Sequence, residues 1–259
     1  SFLYDPKMTM QITINGQLSL SMLYEMICEQ IPEAVPLMQN TDGLETLIPT
    51  DKVDKYHEIC RKWEIMTQLN LEHDEYSKLI IADVNNYMAV YKNGKTKCKG
   101  KFEWEELEKK KVSILHKNKS FLVVPKAVYA YFTKGVMPED FLAQDNNIFN
   151  YCAGVKAKGG WVFEERSVKD STLHVNKLQK IIRYFISNKG SKLVKCNKDG
   201  REIQTEAGQW LQTVINKVDP NKPFTEYDIN KSYYLDEIYK QIQQIEKVSQ
   251  RSSTQLSLF

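Results

Sequence analysis

Apolar residues recur at helical spacing from Leu18 to Ile31: Leu18, Met22, Leu23, Met26, Ile27 and Ile31. That period predicts an amphipathic helix. Just upstream, "QITING" (11–16) reads as a short strand or the start of that helix. Pro32 and Pro36 then interrupt the period. Residues 35–39 and 44–48 read as two short strands joined by Asn40-Thr41-Asp42-Gly43, residue types that hairpin turns favour because they tolerate positive φ. After Pro49 and Thr50, the residues Val53, Tyr56, Ile59, Cys60, Trp63 and Met66 mark a second helix. Residues 71–83 alternate in part, and 87–98 form a hairpin pattern around Asn93-Gly94. Helices and strands that follow one another without repeated βαβ units predict an α+β layer with an antiparallel sheet.

The second half changes character. "EWEELEKKK" (103–111) predicts a short charged helix, and 126–134 and 138–147 two more. Residues 181–204 hold two hairpin-like turns, "SNKGS" and "NKDGR". Tyr234, Ile238, Ile242 and Ile245 mark a last amphipathic helix. A boundary falls near residue 101. After Glu246 the composition turns small and polar, which predicts a flexible linker over 247–259 that ends in "QLSLF".

Composition alters this picture little. The chain has 259 residues, is 42% hydrophobic and carries a net charge of +3. It can build a substantial core and is no polycation. Its charge is uneven: Lys95 to Lys126 contains ten lysines against four glutamates. Such a face attracts phosphate, or is simply a solvated surface. The five cysteines are widely spaced, without metal-knuckle spacing, and read as reduced cysteines of a cytoplasmic protein. No run approaches the ~20 apolar residues of a membrane span, so no membrane partner is expected.

Two features carry candidate chemistry. Asp42 stands in a turn with apolar strands on both sides. A carboxylate held rigidly there suits a hard cation, although the turn is also sufficient reason for an aspartate. Lys95, Lys97, Lys99 and Lys101 alternate; on one extended strand they would share a face and could follow a phosphate backbone, or protect an edge from aggregation.

The stretch "SFLYDPKMTMQITINGQLSLSML…PLMQNTDGLETLIP" resembles the palm of family B DNA polymerases, phage members in particular. The family's hairpin reads Asp-Thr-Asp-Ser. Its second aspartate, a ligand of two catalytic Mg²⁺ ions, matches Asp42, while Asn40 and Gly43 depart from the pattern. "DVNNYMAVYKNGKTKCKG" is similar to the next family element, which faces the primer terminus. Tyr87 matches its tyrosine, and Lys97, Lys99 and Gly100 match its Lys-x-Lys-Gly; Asn85 and Asn86 stand where basic residues are usual. "NYCAGVKAKGGWVFEERS…LQKIIRYFISNKGSKLVK" is similar to a phage thumb, in which Arg183, Lys189, Lys192 and Lys195 would grip duplex phosphates.

The resemblance implies the C-terminal half of a palm over 1–101, a mostly helical thumb with hairpins over 102–246, and a tail over 247–259. It implies DNA-directed DNA synthesis on primer–template DNA with dNTPs. The first palm aspartate, the fingers and the exonuclease are not in this sequence. Activity would therefore need an N-terminal polymerase half that shares the two Mg²⁺ ions through its own carboxylate. Ser1 falls just after the fingers motif, which a natural split, an intein or an expression fragment would each explain. Among Glu72, Asp74 and Glu75, Glu72 is the candidate to assist the metals. The terminal Gln255, Leu256, Leu258 and Phe259 resemble the peptide that docks on the bacterial-type sliding clamp, where a flexible tether raises effective concentration. That setting implies the cytoplasm of a bacterial host. A non-catalytic DNA-binding or clamp-tethering subunit is the alternative. A nuclease would require a further acidic cluster, and none is convincing in the sequence.

Overall fold

The computed structural model describes residues 5–40, 42–104, 120–217, 219, 221–249 and 256–258, with 248, 249 and 256–258 described through their backbone alone. The chain divides into two compact units, residues 1–100 with 245–259 and residues 101–244. All described strand pairs are antiparallel, so the class is α+β. No helix among the described residues is long and apolar enough to cross a membrane.

In the first unit, helix α1 (Pro6–Gln30) starts well before the expected Leu18. "QITING" is therefore helical rather than a strand. Asp5 caps the helix by accepting the Met8 N–H at 3.0 Å, and Pro6 occupies the first turn, where its missing donor costs nothing. Only the second half of α1 is buried, through Leu20, Leu23 and Ile27. Helix α2 (Val53–Thr67) packs Tyr56, Ile59, Cys60 and Trp63 into the same core as Leu23, Ile27, Ile31 and Ile48. The Trp63 indole N–H donates to the Ser19 carbonyl at 2.7 Å, so the one polar atom of the largest core side chain is satisfied.

These helices accompany a six-stranded sheet in the order β1-β2-β13-β3-β4-β5. Its strands are β1 (Val35–Gln39), β2 (Leu44–Pro49), β3 (Tyr76–Asp83), β4 (Asn86–Tyr91), β5 (Thr96–Cys98) and β13 (Leu256–Leu258). The Asn93-Gly94 turn joins β4 to β5, with Gly94 at φ 80°. Two expectations are corrected. The lysine row does not run along one strand: β5 ends at Cys98, Lys95 lies in the turn and Lys101 in a 3₁₀ turn. The tail does not stay outside the fold over 256–258, because that segment pairs with both β2 and β3.

In the second unit, the helices are α3 (Val123–Lys134), α4 (Pro138–Gln144) and the greater part of α5 (Lys231–Ser249). The strands are β6 (Ala153–Lys156), β7 (Val162–Lys169), β8 (Thr172–Leu178), β9 (Ile181–Ser187), β10 (Lys192–Cys196), β11 (Glu202–Gln204) and β12 (Leu211–Val214). They form a sheet in the order β11-β10-β7-β8 and another in the order β12-β9-β6. This unit is thus not mostly helical. The expected helix at 103–111 lies almost wholly outside the described residues.

"NKDGR" is a true hairpin turn. The Asn197 side chain accepts the Asp199 and Arg201 N–H groups, and Gly200 takes φ 78°. "SNKGS" is not, since β9 and β10 enter different sheets. Gly190 lies so close to the β12 backbone that a Cβ there would stand 2.3 Å from the Gln212 carbonyl oxygen.

Candidate functional site

The first site forms on the six-stranded sheet, around the β1–β2 hairpin. Asn40 N–H donates to the Gly43 carbonyl at 3.0 Å, which closes the turn. The Asn40 side-chain oxygen accepts the Asp42 N–H at 3.2 Å. A Cβ at Gly43 would stand 3.3 Å from that same oxygen. Asn40 and Gly43 thus serve each other, and they leave the Asp42 side chain exposed at the tip.

One strand position beyond Leu44 stands Glu45, a residue with no role assigned from the sequence. Its Oε2 is buried and has no hydrogen-bond partner among the described residues. Burial raises its pKa above the usual carboxylate value; Lys97 opposes the rise, and the negative charges of Asp42 and Asp74 add to it. Glu45 therefore shares an electrostatic neighbourhood with residues from β3–β5. The available signal was a lone acid in the otherwise apolar "LETLIP", a position that must either face water or meet a partner.

Asp74 is the acid of "LEHDEY" that reaches this neighbourhood. It accepts from Lys97 Nζ at 2.8 Å, from the Tyr76 hydroxyl at 2.9 Å and from the Tyr91 hydroxyl at 3.3 Å. The Lys97 contact, with the two tyrosines, holds the Asp74 carboxyl below its usual pKa. Partial burial pulls Lys97 down, but Asp74 and Tyr76 more than offset it, so its pKa is raised. Glu75 pairs with Lys92, and Glu72 is exposed.

Tyr87 is 6% exposed and forms part of the wall of the site. Burial, then the nearby Glu45, raises its hydroxyl pKa. Lys99 is exposed, and its N–H donates to the Tyr87 carbonyl at 2.9 Å. Gly100 has φ 63°, and a Cβ on it would lie 2.2 Å from the Asn85 carbonyl oxygen. Only glycine fits where the chain crosses Asn85 and Asn86.

Asp42 and Glu45 offer oxygen ligands suited to Mg²⁺. Among the described residues no group of three His, Cys, Asp or Glu is arranged to hold a metal. Two carboxylates are too few to hold such an ion, so a metal here would need further ligands.

A second site lies in the second unit, in a cleft of about 900 Å³ lined by Lys156, Lys158, Arg183 and Lys195, with Ile181 and Ile203. None of its lining residues is acidic. Arg183 on β9 and Lys195 on β10 meet there because the chain changes sheets between them. Arg183 lies 5.4 Å from the Phe149 ring centre and Lys195 5.1 Å from that of Trp161, contacts that hold both cations without neutralising them. Lys156 and Lys158 had no assigned role. Lys189 and Lys192 are exposed outside the cleft lining, and Asp228 accepts the Lys189 N–H at 2.6 Å. Gln255 and Phe259 lie outside the described residues, whereas Leu256 and Leu258 are backbone-paired in the sheet. No known protein family, curated protein or solved structure matches this chain.

Proposed function

We propose that this chain is the C-terminal part of a family B DNA polymerase, the second half of its palm plus its thumb, active with a partner that carries the remaining carboxylate. The observation that carries the reading is the grouping of Asp42, Glu45, Tyr87 and Lys97 on one sheet, with carboxylates beside a cation held by its own counter-charge. Bound Mg²⁺ would favour the 3′-hydroxylate nucleophile and neutralise charge on the leaving pyrophosphate. Asp42 would supply an oxygen ligand from the hairpin tip, and Glu45 would supply a second. Lys97 stays cationic at neutral pH and can hold a phosphate. Tyr87 stays protonated and can donate a hydrogen bond. The cationic cleft of the second unit can grip the duplex backbone, where contacts must be independent of sequence. The exposed Met8, Met10, Ile12, Ile14 and Leu18 surround the first turns of α1, an apolar surface that suits burial against a second chain.

The test is primer extension with dNTPs and Mg²⁺, by the chain alone and mixed with a candidate N-terminal polymerase half. Synthesis only in the mixture, lowered at least 10²-fold by Asp42→Asn, is the expected result. The accessory-subunit reading has its own support, since Asn40 and Gly43 make a complete turn without any metal. DNA binding without synthesis in the mixture would favour it.

A further inference from the structure

We propose that the cationic cleft of the second unit takes an unpaired nucleotide of a single strand, with its base against Ile181 and Ile203 and its phosphates on the cations of the walls. The inference deepens the DNA-binding part of the reading above and rests on it. Strand register builds the two walls. On one, Ile203, Lys195 and Phe163 stand level across β11, β10 and β7. On the other, Lys156 stands level with Ile181, and Gly154 with Arg183, across β6 and β9. Residues level in an antiparallel pair share a face, as do residues two apart on one strand. Each wall therefore sets an isoleucine beside a cation, and all of these residues line the cleft.

Phosphate contacts account for the cations but not for the isoleucines. Ile181 is 58% and Ile203 54% exposed, and a duplex backbone, polar along its length, gains nothing by covering them. A base out of its stack has an apolar face to offer, and contacts of that kind tolerate any sequence. Room for it exists where Gly154 stands level with Arg183: apart from its chain neighbours, a Cβ there would meet no atom within 4 Å. The edge of a base also finds polar groups. The Asn216 side-chain oxygen accepts the Arg183 N–H at 2.9 Å, which leaves the amide N–H groups of Asn216 to donate. The Gln179 amide N–H donates to the Ile181 carbonyl at 2.6 Å, which leaves the side-chain oxygen of Gln179 to accept. Both residues line the cleft. Among the described residues, Lys156, Lys158, Arg183 and Lys195 form no ion pair with a carboxylate. Four such cations exceed the roughly two charges of a free monophosphate, so they suit a strand with several phosphates.

The test is fluorescence anisotropy of the full chain with a labelled thymidine oligonucleotide and with a blunt duplex of equal phosphate number. The single strand should bind at least about fivefold more tightly than the duplex at the same salt. Gly154→Leu fills the space beside Arg183 and removes no charge. It should weaken strand binding at least about fivefold, leave duplex binding within about twofold and leave the salt slope unchanged. A 2-aminopurine in the strand should brighten on binding to the wild type, as a base does on leaving its stack, and not with this variant. If a melting curve shows Gly154→Leu unfolded, Ile181→Asn with Ile203→Asn, both at exposed positions, carries the same expectation. Equal binding of strand and duplex, or strand binding that survives these variants, would overturn the proposal. Displacement of the strand by free dNTP at lower concentration than by unlabelled strand would assign the cleft to a free nucleotide, and displacement by an acidic, leucine-rich peptide to a protein; either would overturn it. Strand preference with no synthesis by the two-chain mixture would remove the polymerase reading and leave the nucleotide site. Synthesis by the mixture without strand preference would remove the site and leave that reading.

Discussion

Glu45 shows how one residue's surroundings separate stability from function. Its folded pKa is raised, so the folded state favours the protonated form. The resulting penalty is absent well below the ordinary value of 4.5 and grows as pH rises through the folded pKa. Glu45→Gln should therefore raise the thermal midpoint at pH 7 by about 1–3 °C. The gain should vanish near pH 3 in a series of melting curves, while Mg²⁺-dependent activity is lost. Gly100 behaves oppositely. Gly100→Ala places a carbon against the Asn85 carbonyl oxygen at positive φ. It should cost ~2 kcal/mol or more, read as a lower denaturant midpoint, because strain and overpacking add.

At the scale of elements, the Asp74–Lys97 pair joins the segment before β3 to β5. Asp74 is depressed below 3.8, so its contribution is present above that value and is lost as pH falls through the lower folded pKa. The pair is partly exposed, with side chains 44% and 32% accessible. Asp74→Asn should therefore cost only ~0.5–1 kcal/mol at pH 7, and the difference from wild type in chemical denaturation should shrink below pH 3.8. Elements also show where sequence reading works. α2 and the β4–β5 hairpin repeat their patterns cleanly, one through a 3.6-residue period and the other through Asn-Gly. The β7–β8 hairpin was missed because its turn uses Asp170 and Ser171 at φ 48° and 62°, with no glycine to announce it. The early start of α1 was obscured because Met8, Met10, Ile12 and Ile14 alternate with polar residues, a period of two that signals a strand, and none of the four is buried.

At the scale of the whole molecule, the proposed function requires the cationic cleft to dominate DNA affinity. Arg183→Ala and Lys195→Ala should each weaken duplex binding across all sequences and reduce the slope of log K against log salt by about 1. Fluorescence anisotropy at several salt concentrations measures this. Lys189→Ala, outside the cleft lining, should change the slope less.

The sequence by itself determined the α+β class, the principal helices, the Asp42 turn and the change of character near residue 101. Each of these is local, set by periodicity, capping or turn chemistry within a few residues. Tertiary structure alone decided the company those residues keep. Glu45 joins Asp42, Asp74 and Lys97 because strands far apart in sequence enter one sheet. Arg183 and Lys195 share a cleft because "SNKGS" passes between sheets instead of closing a hairpin. Leu256–Leu258 became a strand because β2 and β3 left an edge to fill, and the hydrogen-bonding demand of an open edge is invisible until both of its sides have been built.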